Sequence, residues 1–342
     1  MTASHPLATR WMSELCSVDT STGDEGRIVS PLKNILEGDL EAKVELAEVE
    51  NGRVNFLARW GKPRVILSSH VDTVPPYVPY RFDGVVFHGR GSCDAKGQVI
   101  AQLLAIHALL EKGIRDVAWI GVVGEETGSE GARAAAKRWK SLSEDCVLVI
   151  NGEPTELKLA TGQRGTARYR LACEGLSSHS GSPELGRNAI WTLFRWLEQL
   201  QRKELPTDPV LGPEIWNLGV IRGGTATNVV PAHAEAELMA RFLFDSHFEV
   251  ALEETRPKEG SWERLSKTMP CLFATPSGFD TVIVPFGSDA PHLVALSGQG
   301  RVVLCGPGSI RVAHTVDEHL SLADLFAGAD LFARLVEAEM AQ

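Results

Sequence analysis

Apolar residues recur at helical spacing over residues 6–17 and 24–37, and Thr22, Gly23 and Asp24 form the polar break that starts the second helix. Short apolar runs rich in β-branched residues follow at 65–69, 117–123 and 147–150, with a long helical pattern over 98–112 separating the first two. Strands alternating with helices predict a parallel α/β sheet. After Pro154 the texture changes: ATGQRGTARYRLACEG (160–175) alternates, 188–202 is helical, and 216–222 and 234–244 read as strands flanking Gly223 and Gly224. Signals of the first kind resume at 281–285, 293–295 and 302–305, and a final helix covers 322–340. The second texture is therefore an insertion: residues 1–158 and 275–342 form one α/β domain, interrupted by an α+β domain at 159–274. Segment 254–269 suits a surface connection, with 261–267 compatible with a helix that periodicity alone does not decide.

Length agrees, since 342 residues exceed what one simple core usually holds. No apolar stretch approaches the roughly 18 residues of a membrane span, and the start lacks a basic segment followed by an apolar run, so a cytoplasmic protein without a membrane partner is expected. Six scattered cysteines without a CxxC pair argue against a thiolate zinc site and a dense disulfide framework. A net charge of −10 without a basic block excludes nucleic acid as an expected partner, while leaving many carboxylates free to bind cations.

The positions of those carboxylates matter more than their sum. Strand-like runs end in ionisable residues: LSSHVDT at His70 and Asp72, GVVGEETGS at Glu125 and Glu126, VLVINGEP at Glu153. The carboxyl ends of parallel strands face the ligand crevice, so these side chains are expected to converge. Imidazole and carboxylate suit zinc, and a two-metal site needs a carboxylate that can bridge. Asp94 in GRGSCDAKG, bracketed by Gly89, Gly91 and Gly97, is the candidate bridge, and His314 in RVAHTVDEH completes the set.

HVDTVP at 70–75, GRGSCDAKG at 89–97, GEETGSEG at 124–131, GEP at 152–154, SSHSGSP at 177–183, GSDAP at 287–291, and GPG with AHTVDE at 306–318 together resemble the M20 family of metallopeptidases and deacylases, in order through most of the chain. The resemblance implies a mostly parallel-sheet catalytic domain of zinc-exopeptidase type with an inserted α+β lid and dimerisation domain. It implies two zinc ions, with cobalt or manganese as substitutes: His70, Asp94 and Glu153 hold one, and Asp94, Glu126 and His314 the other. Asp72 would orient His70 by accepting its remaining N–H. Glu125 would be the general base, and His179 would help stabilise the tetrahedral intermediate. Asn228, Arg241 and the backbone of Gly308 resemble positions that hold the substrate carboxylate, and a homodimer is implied. His88, His107, His233, His247, His292 and His319 match no ligand position and read as surface or packing residues, as Cys93 reads as packing. Trp191, Phe194, Trp196 and Leu197 read as packing or a dimer seam.

Glu153, rather than Asp, in GEP resembles the family's deacylases and carboxypeptidases more than its aminopeptidases and dipeptidases. The expected reaction is removal of an acyl group, acetyl first, from an amino acid such as N-acetylornithine or N-acetyl-lysine. Succinyl-diaminopimelate desuccinylases and glutamate-type carboxypeptidases share nearly all the motifs; they would need a second cation, for which Arg164, Arg168 and Arg222 are candidates. A ligand sensor that binds metal without turnover is the reading from another class.

Overall fold

In the computed structural model, which describes residues 4–341, contacts divide the chain into two compact units. The first comprises the chain up to Thr161, Phe273–Val284, and everything from Ser288 onward; the second is Gly162–Leu272 with Pro285–Gly287. The first unit opens with α1 (Ser4–Cys16), whose Trp11, Met12, Leu15 and Cys16 are wholly buried. The second expected helix is a composite of a 3-10 turn (Glu25–Ile28), an α turn (Val29–Asn34) and a π turn (Ile35–Asp39). The three turns follow one another without a break over 25–39, so the helical segment that apolar spacing predicts is present with a changing hydrogen-bond pattern.

An antiparallel hairpin comes next, β1 (Lys43–Glu50) and β2 (Arg53–Arg59), turning at Asn51 and Gly52, both with positive φ. The chain continues through β3 (Val65–His70), α2 (Lys96–Glu111), β4 (Val117–Val122), α3 (Glu130–Arg138) and β5 (Leu148–Gly152). It then builds the second unit from β6 (Gly165–Glu174), α4 (Ala189–Gln201), β7 (Ile215–Gly223), β8 (His233–Phe242), α5 (Phe248–Thr255) and β9 (Gly260–Thr268). It returns to the first as β10 (Val302–Cys305) and α6 (Leu322–Met340).

The large sheet of the first unit runs β1-β2-β4-β3-β5-β10. Its four central and far strands are parallel, and β2 meets β4 antiparallel, so the sheet is mixed. Every residue of β3, β4, β5 and β10 is buried, which is why these segments read as unbroken apolar runs. Helix α2 is buried from Lys96 through Ile106 and again at Leu109, and packs on α1, α6 and the central strands. A helix apolar all round belongs inside, and each such Leu or Ile contributes about 1.5–3 kcal/mol by leaving water. This core holds the carboxyl ends of β3, β4 and β5 in fixed register.

The second unit is an antiparallel sheet, β7-β8-β6-β9. Ala167, Tyr169, Leu171 and Cys173 of β6 face Leu193, Trp196 and Leu200 of α4 and Phe248 and Leu252 of α5 in its core. Residues 261–267 lie in strand β9, not a helix: they pair along β6 from Gly260 opposite Cys173 to Thr268 opposite Thr166, and Glu263 meets Arg170 at 2.7 Å. The partner strand, absent from any local window, decides the conformation. Of residues 281–285 only Thr281–Val282 is a strand, and 293–295 fall in the helical turns Ala290–Leu293 and Val294–Leu296. No helix among the described residues is long and apolar enough to cross a membrane, and all six cysteines are free.

Candidate metal centre

β3 delivers His70 to the end of the sheet, where its side chain is 1% exposed. Its Nδ1 lies 2.9 Å from the carbonyl oxygen of Asp72 and 3.4 Å from that residue's carboxylate. A carbonyl can only accept, so Nδ1 carries a proton, and Nε2, 3.0 Å from Asp94 Oδ1, is the nitrogen left to a metal ion when the ring is neutral. The Asp72 carboxylate does more than face His70. It accepts from Thr22 Oγ1 (2.9 Å) and from the backbone N–H groups of Glu125 (3.2 Å) and Glu126 (3.3 Å), tying the turn after β4 to the end of β3. Those hydrogen bonds, with His70, hold its carboxyl below the usual range despite burial.

Asp94 sits on a tight loop ahead of α2. Gly97 is obligatory there, since a Cβ would strike the Ser92 carbonyl. The two carboxylate oxygens face different imidazoles: Oδ1 faces His70, and Oδ2 lies 3.3 Å from His314 Nε2. His314 also lies 3.1 Å from Glu126 Oε1, with backbone φ at 64°, uncommon for any residue but glycine. Glu153, at the end of β5, brings Oε1 to 4.0 Å from His70 Nε2. The ligand atoms of His70, Asp94 and Glu153 lie within 4.8 Å of one another, as do those of Asp94, Glu126 and His314. Two triplets share one carboxylate.

Glu125 stands beside them without belonging to either. Gly124 before it has φ of 76°, and a Cβ there would strike Glu130, so the turn that aims Glu125 and Glu126 needs glycine. Desolvation pushes the half-buried Glu125 carboxyl well above the usual carboxylate range; the charges of Asp289, Glu126 and Asp94 add to this against the pull of His70. Glu153 is raised for the same reason. Asp289, buried, is pushed up to about 7 by desolvation, against the opposing pull of Ser129 and His70.

This crowd of carboxylates seeks cations. Burial alone would lower the His70 pKa, yet hydrogen bonds to Asp72 and Asp94 raise it well above the usual value, and hydrogen bonds to Asp94 and Glu126 push His314 up to about 10. Glu153 Oε1 is buried without any hydrogen-bond partner. Imidazole and carboxylate donors in two sets of three, one oxygen orphaned and one carboxylate turned both ways, fit a pair of divalent metal ions.

The remaining expected residues belong to neither triplet. Gly308, in the first unit, has φ of 78° and gives its carbonyl to the Glu156 N–H. In the second unit, the exposed His179 accepts the Gly181 N–H at Nδ1 (3.1 Å), so its neutral ring carries its proton on Nε2 as a donor. The His179 loop is joined to that of Asn228 through Ser180 N–H and the Asn228 carbonyl (3.0 Å). Arg241 lies on β8 opposite Thr166. Sequence reasoning assigned no role to Thr22, Arg90, Asp289 or Glu318. The last three lie inside the quoted motifs, and Thr22 showed only as a helix break.

The model of peptidase family M20/M25/M40 matches residues 66–338. A peptidase M20 domain-containing protein of Schizosaccharomyces pombe is 35% identical, covering 94% of this chain and 82% of that protein. A probable carboxypeptidase of Aspergillus clavatus is 33% identical over 95% of this chain and 86% of the relative. Among solved structures, the aminopeptidase PepT from Bacillus cereus superposes with a TM-score of 0.77 at 21% identity, covering 98% of each chain.

Proposed function

The chain belongs to peptidase family M20/M25/M40, and from that premise we propose that it is a two-zinc hydrolase that removes an acyl group from the α-nitrogen of an amino acid, acetylornithine and acetyl-lysine being the first substrates to try. The observation that carries the dinuclear reading is Asp94, one oxygen turned to each imidazole. His70, Asp94 and Glu153 would hold one ion, and Asp94, Glu126 and His314 the other; cobalt or manganese would substitute. When bound, the ions polarise the amide carbonyl and lower the pKa of water to about 7. The chain's own part is proton handling and placement. Glu125 takes the proton of the attacking water and returns it to the leaving nitrogen. Its neighbour Asp72 fixes the backbone from which Glu125 projects. His179 offers the Nε2–H of an oxyanion donor, and Arg241 with Asn228 offers a cation and an amide for the α-carboxylate.

A second reading, a carboxypeptidase or desuccinylase, draws on Arg164. Of the three candidate second cations, Arg168 pairs with Glu237 (3.1 Å), and Arg222 with Glu235 (3.0 Å). Arg164 is buried, donates to the carbonyls of Pro213 and Pro285, and has an Nε without a hydrogen-bond partner. The Aspergillus relative's name points the same way. Free-amine release by zinc-loaded protein would be measured against N-acetylornithine, N-acetyl-lysine, N-succinyl-diaminopimelate and peptides ending in glutamate. An acetylated basic amino acid should lead. Preference for the succinyl or peptidyl compounds would transfer the assignment to the second reading, and binding of two metals with no turnover on any compound would leave a sensor.

A second copy of the chain is proposed to cover the edge strand β7, as a homodimer. Ile215, Leu218 and Ile221 there, and Trp191 and Phe194 on α4, are 40–58% exposed, beside an open groove of about 820 Å³. Unpaired edges with apolar side chains invite strand pairing. Light scattering should give twice the chain mass, and Ile221→Lys should return it to one; a parent of single mass would refute the dimer.

A further inference from the structure

Two loops carry Asp94 and His314 of the second triplet, and one buried ion pair links them. Glu318 lies four residues beyond His314, its side chain fully buried. Its Oε1 accepts three backbone N–H groups of the Asp94 loop: Gly91 (2.9 Å), Cys93 (3.1 Å) and Asp94 itself (3.0 Å). Its Oε2 takes Arg90 Nη1 at 2.5 Å, and that Nη1 also donates to the Thr315 carbonyl (3.2 Å), next to His314. The Glu318 carbonyl accepts from Gly89 at 3.0 Å, and Arg90 Nε reaches the Pro76 carbonyl at 3.3 Å. Converging backbone N–H groups make a nest for an anion; here the chain fills the nest with its own carboxylate and neutralises it with its own guanidinium.

We infer that Glu318, braced by Arg90, is a positioning residue that sets Asp94 and His314 at the spacing the second metal ion needs; this rests on the dinuclear reading above. The two triplets differ in their dependence on it. His70 and Glu153 of the first stand at the ends of buried strands held by the sheet. In the second, Asp94 and His314 both ride on loops joined by this strut, and only Glu126 is placed otherwise. Gln at 318 would put an amide N–H₂ where one carboxylate oxygen now accepts, opposing either the backbone donors or Arg90, and would leave Arg90 buried without its counter-charge.

Chelator-stripped protein titrated with Zn²⁺ in a calorimeter tests this without recourse to activity. The parent should take up two equivalents. Glu318→Gln should bind the second about 10–100-fold more weakly, the usual effect of removing a group that holds a ligand, and the first, which shares only Asp94 with the strut, weakened by less. If that variant does not fold, Arg90→Lys, which leaves the carboxylate on its three N–H donors, should show the same selective loss to a smaller degree. Two equivalents at parent affinity in a folded variant, or equal weakening of both, would overturn the strut. A parent that binds fewer than two ions would instead overturn the dinuclear centre, and the strut's role with it.

Discussion

Glu125→Gln should retain both metal ions at parent affinity and lose roughly 10²–10⁴-fold in kcat, with KM little changed. The side chain belongs to neither ligand triplet, so replacing it leaves the donor sets intact. Gln cannot accept the proton of the attacking water, so the loss falls on the chemical step. Glu125 also sits among Asp289, Glu126 and Asp94, whose charges favour its protonated form. A base so placed gains protons readily, which suits a group that must take one and hand it on within a single turnover. Single-turnover kinetics on the loaded variant, with metal content measured on the same sample, would check this. Turnover within tenfold of the parent would mean that another group carries the proton.

Asp94→Ala should cost more at the level of binding. Its two oxygens serve both triplets, so the substitution removes a ligand from each. The loss at each site should exceed the roughly 10–100-fold that follows removal of an outer-shell partner, and hydrolysis should disappear with the metal. Elemental analysis after dialysis against micromolar zinc should find neither ion retained. A single tightly held ion would show that Asp94 serves one site only. The same substitution removes the acceptor that both imidazoles face, so in metal-free protein the hydrogen bonds that now raise the pKa of His70 and His314 weaken.

Burial largely decided how much of this the sequence made legible. β3, β4, β5 and β10 are buried throughout and announce themselves as apolar runs, and α2, buried on almost every side, does the same at helical length. The β1–β2 hairpin escaped because its exposed charges dilute the pattern, although Asn51–Gly52 is the dipeptide a two-residue hairpin turn demands. β9 escaped because what makes it a strand is the free edge of β6. Of the candidate ligands, His70, Glu126 and Glu153 were legible because strand-like apolar runs lead into them, and the loop residues Asp94 and His314 because they stand in GRGSCDAKG and RVAHTVDEH. Asp72, Glu318 and Arg90 act through contacts with residues 50 or more positions away, and nothing in their local setting states that. Even Asp72, expected only to orient His70, leaves the nearest approach to Nδ1 to its own carbonyl.

The chain leaves the first unit at Thr161 and comes back at Phe273, whose N–H donates to the Thr161 carbonyl at 3.1 Å. Departure and return are thus neighbouring rungs of one ladder, and the 111 residues from Gly162 to Leu272 form one excursion, to which the chain adds only Pro285–Gly287 on a second visit. Lengthening, trimming or exchanging that excursion need not re-register a single strand of the large sheet. All five residues of the two candidate triplets are encoded outside it, so inheritance can replace the part expected to choose the substrate while the candidate metal site passes down unaltered.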